Sequence, residues 1–354
     1  MSNTTENVKA PAKGFKVMTE RDVKRRTVTQ TVVKILSQIA IYTFLIIMAI
    51  VVLFPFYWMI ISSLKTMPVY SQTGLTFETF FPKDLAFENY ALAFKTADLW
   101  QLFKNTAFVG IVSTLLSLVI TVLSAFALAR LEFKGKNAFF AALLATMMIP
   151  GELFTITNYQ TVSNFLGLNA LSKTVDNPML RELLSKAGNW KNTFAVLIIP
   201  FLVSVFYIYL LRQNFMQIPN ELYLAAKVDG TSDLKYLWKV MIPLSLPTLI
   251  SITIMKMMGA WNSYMWPLLV ANDDAHKLIT NGIRGAGFNI DIKTFAEYGV
   301  FDKASMEALE GYTSLTHYPA QMAAVVLVSI PLFLVFVFLR KYIMKGVSRS
   351  GIKG

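Results

Sequence analysis

The sequence predicts an all-α integral membrane protein with six transmembrane helices, and three observations predict it. Of its 354 residues 55% are hydrophobic and 15% charged, and the mean hydropathy is +0.51, a balance that suits lipid better than water. Six apolar segments, near residues 36–61, 107–129, 138–158, 194–211, 248–270 and 320–339, approach or exceed the roughly 20 helical residues that cross a hydrocarbon core. The charge between them is sorted by side. Six crossings place both termini together, and that side (the N-terminal tail, the link 130–137, the stretch 212–247 and the C-terminal tail) holds roughly 20 Lys/Arg against 7 Asp/Glu. The opposite loops hold roughly 12 against 13, so the positive-inside rule assigns the basic side to the cytoplasm. The net charge of +12 therefore reads as topology, and no nucleic-acid partner is expected.

Residues 1–35 form a polar tail with Lys9, Lys13, Lys16, Arg21, Lys24, Arg25, Arg26 and Lys34, expected to be solvated and to touch anionic membrane lipid. With no early apolar run, the first span is expected to act as its own signal anchor, and its Tyr57 and Trp58 suit the membrane interface. An external loop over 64–106 follows. The second span carries Gly110, Ser113, Ser117, Ser124 and Ala125, small residues that let helices approach closely, so it is expected in a bundle interior. In the third span Pro150-Gly151 breaks the helical ladder, which places Glu152 against a bundle interior or an aqueous cavity. The external loop 159–193 contains an amphipathic helix near Met179–Lys186, either a tolerated insertion or a docking surface.

The fifth span carries Lys256, a cation that at membrane depth snorkels, pairs with a carboxylate such as Glu152, or faces water. Trp261, Asn262 and Tyr264 follow. Aromatic faces and amides are what a sugar site uses, and also what an interfacial belt contains. The external loop 271–319 is acidic, with Asp273, Asp274, Asp291, Glu297, Asp302, Glu307 and Glu310. The membrane domain is thus expected over 36–345, closed by a short cytoplasmic tail over 346–354.

The loop 216–247 is a polar, helix-prone island. Pro219 opens a helix, Asn220 is placed to cap it, and Gly230 after Asp229 supplies the left-handed position that stops it after about two turns. A second helical run, Asp233 to Ile242, is expected to end at Pro243, and Pro247 restarts the chain into the next apolar segment. This island resembles the coupling loop of ATP-binding-cassette importer permeases, whose pattern is Glu-Ala-Ala, Asp-Gly and a late Leu-Pro-x-x-x-Pro. Ala225, Ala226, Asp229, Gly230, Pro243 and Pro247 match it. Leu224 stands where the pattern has its glutamate, and Glu221 lies one turn earlier on the same helix face. Phe87-Glu88-Asn89-Tyr90, the run before Lys136, the Met147-to-Pro150 stretch, Leu166-Gly167-Leu168-Asn169 and Trp261-Asn262 before Pro267 are similar to elements of the carbohydrate branch, the maltose-type permeases.

The resemblance implies a type I importer permease of MetI-like architecture in a bacterial or archaeal cell (inner) membrane, with both termini cytoplasmic. It implies a sugar permease, oligosaccharides first and polyols or glycerol-phosphate esters next. It also implies a second, non-identical permease, an ATPase dimer that holds ATP and Mg, and an external solute-binding protein. No phosphate-binding loop, nucleophile elbow or HExxH motif occurs, there is no cysteine, and His276 and His317 are the only histidines, so no catalysis, metal or cofactor of the chain's own is expected. A channel or secondary transporter is the rival reading; neither needs the helix-glycine-helix island.

Overall fold

The computed structural model describes residues 20–70, 76–286, 288–291 and 314–348. The tail before residue 20, Glu297, Asp302, Glu307 and Glu310 of the acidic loop, and the last six residues lie outside the described residues. The chain divides into two units, 1–58 and 59–354.

In the first unit one helix, α1 (Glu20–Ser63), runs through the predicted first span and ends just past the unit boundary. It begins well before residue 36, so the basic stretch from Glu20 is helical backbone rather than a tail. No glycine or proline interrupts the chain between Phe15 and Phe54, and nothing there opposes helix propagation. Its apolar part, Gln30–Ser63, has a mean hydropathy of 2.7.

The second unit is almost entirely helical. Its main elements are α2 (Glu88–Thr96), α3 (Leu99–Arg130), α4 (Lys136–Thr146), α5 (Phe154–Ser163), α6 (Pro178–Gly188), α7 (Phe194–Ile198), α8 (Val205–Met216), α9 (Asn220–Val228), α10 (Asp233–Tyr236), α11 (Leu246–Trp261), α12 (Met265–Val270), α13 (Ile279–Gly285) and α14 (Tyr318–Ser348). A short antiparallel ladder pairs β1 (Asn289–Asp291) with β2 (Ser314–Thr316), the one departure from helix among the described residues.

α1, α3 and α14 are each long and apolar enough to cross a membrane, and three bent helix pairs, at the predicted third, fourth and fifth spans, are so when each pair is taken together. The third bends by 78° at the Pro150 break, the fourth by 47° between Phe201 and Val205, and the fifth by 81° between Leu244 and Leu246. The helical run leading into the fifth continues past Pro243 to Leu244, beyond its predicted end. A π turn over Leu237–Met241 widens the helix just ahead of the proline, whose missing N–H leaves one carbonyl to be accommodated.

α3 is the axis of this unit, packed against both α8 and α11. Its small residues face inward as expected: Gly110, Ser113, Ser117 and Ala125 are buried and Ser124 half-buried. A side chain added at Gly110 would stand 3.2 Å from the Met257 sulfur of α11, so this glycine sets the approach of the two helices. At the Arg130 end, Val122, Phe126, Leu211, Phe215, Tyr236, Leu237, Met241 and Ile252 form one apolar core. At the other end Leu92, Leu99, Leu102, Ile279, Ile283, Phe288 and Ala320 form a second.

Amides tie the loops at that second end. Asn89 is buried and its Nδ2 donates to Ser63 O and Lys65 O, each at 2.9 Å, while Tyr90 Oη meets Ser63 Oγ at 2.7 Å. The family-like Phe-Glu-Asn-Tyr motif is therefore a latch that fastens α2 to the chain leaving α1. Asn105 Nδ2 likewise donates to Ala275 O and Lys277 O at 2.9 Å each. The amphipathic helix predicted near Met179–Lys186 is present as α6, capped by Asn177, which accepts from the Met179 and Leu180 amides.

His317 is fully buried at the start of α14, where its Nδ1 accepts from the Ala320 amide at 3.0 Å and so caps the helix. Burial pushes its pKa down from 6.5 to about 4. Because the folded value lies below the unfolded one, stability is intact above pH 6.5 and is lost as pH falls toward 4. The loss amounts to about 2 kcal/mol by pH 5. The Tm of the detergent-purified protein should fall between pH 7 and pH 5, and His317→Asn, which keeps a capping acceptor without a titrating group, should flatten that slope. Equal slopes would rule the histidine out as the cause.

Candidate functional site

The island forms a helix fixed from both ends. Pro219 (φ −54°, ψ 137°) precedes the first turn of α9, and Gly230 (φ 69°) ends it. The Gly230 amide donates to Lys227 O at 3.0 Å and the Thr231 amide to Ala226 O at 2.8 Å, the paired bonds of a Schellman closure. Asn220 is the first residue of the helix rather than its cap. Its side-chain oxygen instead accepts from Arg130 Nη1 at 3.0 Å, while Arg130 Nη2 donates to Phe215 O at 2.9 Å and Ile218 O at 2.5 Å. One guanidinium thus joins the end of α3, the end of α8 and the start of α9.

Three side chains join α9 to α10. Lys227 Nζ lies 2.7 Å from Asp233 Oδ1, which also accepts from Tyr223 Oη at 2.8 Å. The Lys227 hydrogen bond holds the Asp233 carboxyl below its ordinary value, and the same bond raises the Lys227 ammonium. Tyr223 and Ala226 pack on the Arg130-end core. The opposite face of α9 is exposed and carries Glu221, Leu224, Ala225, Val228 and Asp229, with Leu224 56% and Val228 88% exposed. Of the residues predicted for docking, Glu221, Leu224, Ala225 and Asp229 share this face, and Ala226 sits on the inner one. Pro243 and Pro247 flank the 81° bend where the island enters α11.

A cavity of about 340 Å³ lies where α3, α11, the α7–α8 bend and α12 meet. Lys256 lines it together with Ser113, Ser204, Tyr207, Ser263 and Trp266. The Lys256 ammonium donates to Phe201 O at 2.6 Å, a carbonyl at the bend of the fourth span. Among the described residues no ion pair joins it to Glu152, which is exposed at the third-span break and does not line the cavity.

The aromatic cluster separates. Trp261 Nε1 donates to Val328 O at 3.3 Å and its ring lies 5.9 Å from Phe103, so it packs α11 against α14. Asn262 is exposed at the end of α11, and Tyr264 Oη bonds Arg284. α11 stops at Trp261, so the residues beyond leave its face, and none of these three reaches the cavity. The sequence gives no sign of the roles of Arg130 and of the hydroxyls around Lys256, Ser113 being legible there only as a small packing residue. Arg130 looked like one more basic residue at a helix end, and the hydroxyls come from three distant segments.

A family model described as the binding-protein-dependent transport system inner membrane component matches residues 17–349. The chain is 26% identical over 307 residues to the arabinooligosaccharides transport system permease protein of Halalkalibacterium halodurans, across 86% of this chain and 93% of that one. It is 27% identical over 325 residues to the trehalose/maltose transport system permease protein of Thermococcus litoralis, across 91% and 99%. A crystal structure of a bacterial ABC transporter involved in the import of the acidic polysaccharide alginate shares the fold, with a TM-score of 0.65 at 24% identity over 87% of this chain and 96% of that chain. A match along nearly the whole length, on a chain of up to six apolar spans, means that this multi-pass membrane protein belongs to the family of binding-protein-dependent transport system inner membrane components.

Proposed function

We propose that the chain is one permease subunit of an ATP-driven importer of carbohydrates, oligosaccharides foremost, and that the exposed face of α9 is the surface through which a separate ATPase drives it. The observation that carries this reading is an outward-facing apolar surface on a helix held by the Arg130 fork and the Gly230 closure. A helix anchored so firmly, with leucine and valine in solvent, suits transmission of force to a partner. The carbohydrate class is supported by the relatives named for arabinooligosaccharides and for trehalose and maltose.

On this reading ATP and Mg bind the ATPase dimer and not this chain, a second, non-identical permease completes the pathway, and a solute-binding protein delivers the sugar from outside. The sorting of charge supports a cytoplasmic position for α9 and both termini. Closure of the ATPases moves α9, and the attached spans rock to expose the pathway on alternate sides. The test is the ATPase rate of the purified, reconstituted complex with its binding protein across a panel of sugars. At least one oligosaccharide should raise it several-fold, and a rate indifferent to every carbohydrate would sink the reading.

A further inference from the structure

We propose that Lys256 is an anion-recognising residue of the pathway, and that the imported solute carries a carboxylate or phosphate on a polyhydroxy body, a uronate sugar or a phosphate ester. The inference rests on the permease reading above and adds the charge of the solute to it.

The argument starts from a cation whose surroundings leave it uncompensated. Lys256 sits in an apolar helix, half-buried, and lines the cavity of about 340 Å³. Among the described residues no carboxylate lies within ion-pair reach of it. Its bond to Phe201 O satisfies a carbonyl at the span bend, but a carbonyl is neutral, and an ammonium offers three donors. A charge held in an apolar setting is costly unless an opposite charge meets it, and such residues mark solute pathways. A purely structural tie to the Phe201 carbonyl needs a donor, not a charge.

The wall around the ammonium has the make-up of a small-molecule site. Ser113, Ser204, Tyr207 and Ser263 bring hydroxyls, and Trp266 an aromatic ring, to a cavity whose lining mixes polar and apolar surface. The volume falls in the range of about 300–1,000 Å³ typical of such sites. Hydroxyls serve the alcohols of a sugar, and the ammonium serves an anionic substituent on it. Glu152, the acidic residue that would repel such a solute or neutralise the lysine, stands away from this wall.

Lys256→Gln tests the charge while keeping a donor for the Phe201 carbonyl, and Lys256→Arg keeps the charge. The assembled complex with its binding protein, in ATP-loaded proteoliposomes, is given labelled α-1,4-linked tri-galacturonate, the neutral α-1,4-linked galactotriose of matching linkage, and sn-glycerol 3-phosphate. The wild type should take up an anionic probe, the carboxylate and phosphate arms showing which. Lys256→Gln should cut that uptake by about 10-fold or more, and Lys256→Arg should retain it within about 3-fold, in line with the loss of one charge-assisted contact. Uptake of the neutral trisaccharide, where it occurs, should fall by much less than that of the anionic probe. Equal losses for neutral and anionic probes, or no loss of the anionic one, would overturn the inference, as would a wild type driven by neutral solutes alone. That last result would leave the permease reading standing, whereas an ATPase rate indifferent to all carbohydrates would remove the reading itself.

Discussion

Aspartate at both Leu224 and Val228 should abolish ATP-driven uptake, by about 30-fold or more, while leaving the chain folded. Both side chains are mostly exposed, so the substitutions remove no core contact and add charge only to solvent. In a docked complex the same two positions would bury unpaired carboxylates against an apolar partner surface. Loss of central anchors of this kind costs about 2 kcal/mol or more, and buried unpaired charge adds to it. The measurement is co-purification of the ATPase together with uptake into proteoliposomes. Leu224 matters doubly, because it stands where the coupling-loop pattern that the island resembles has its glutamate. If the leucine has replaced a charged contact by an apolar one, restoring Leu224→Glu alone should weaken docking rather than improve it. Full uptake by the double aspartate variant would show that this face does not carry the coupling.

Replacing Arg130 by alanine should uncouple the machine rather than dismantle it. Its guanidinium makes three hydrogen bonds, to Asn220, Phe215 O and Ile218 O. Bonds to a charged donor contribute roughly 1.5–3 kcal/mol each when shielded, and the partial exposure of this site brings the loss of all three to the order of 3 kcal/mol. The surface of α9 proposed to meet the ATPase is untouched, so hydrolysis should persist while uptake per ATP falls by about 10-fold. Arg130→Lys should recover only a fraction, since one ammonium does not reproduce the fork. An unchanged ratio of solute imported to ATP hydrolysed would mean that force does not pass through this residue.

What the sequence disclosed depended on range. α9 was readable because Pro219 and Gly230 act on their own backbone, and both do what their chemistry dictates. The break at Pro150 was readable for the same reason. The bend between Phe201 and Val205 has local causes as well, the 3-10 turn that contains Pro200 and the Ser204 side chain that caps the next helix, but inside one continuous apolar segment they do not announce a bend of 47°. Asn220 reads as a cap in the sequence because nothing local reveals an arginine 90 residues earlier in the chain. Lys256 and Glu152 appeared as natural partners, being the two charges conspicuous within spans, yet the third span turns by 78° and carries the glutamate elsewhere. Trp261, Asn262 and Tyr264 looked like one cluster because they are neighbours in sequence, and the end of α11 at Trp261 scatters them.

The 81° bend at Ser245 makes a crank of the fifth span. Its short arm is the run α10 to Leu244, bonded to α9 through Asp233, and its long arm is α11. Lys256 lies ten residues along that arm from Leu246, or about 15 Å at the helical rise. A swing of about 10° about Ser245 would carry the ammonium sideways by about 3 Å over that length. That displacement is enough to take the ammonium out of hydrogen-bond reach of Phe201 O, which it now meets at 2.6 Å. On the proposed reading, a small rotation of the short arm would thus be enough to release or recapture the Lys256 ammonium at the other end of the crank.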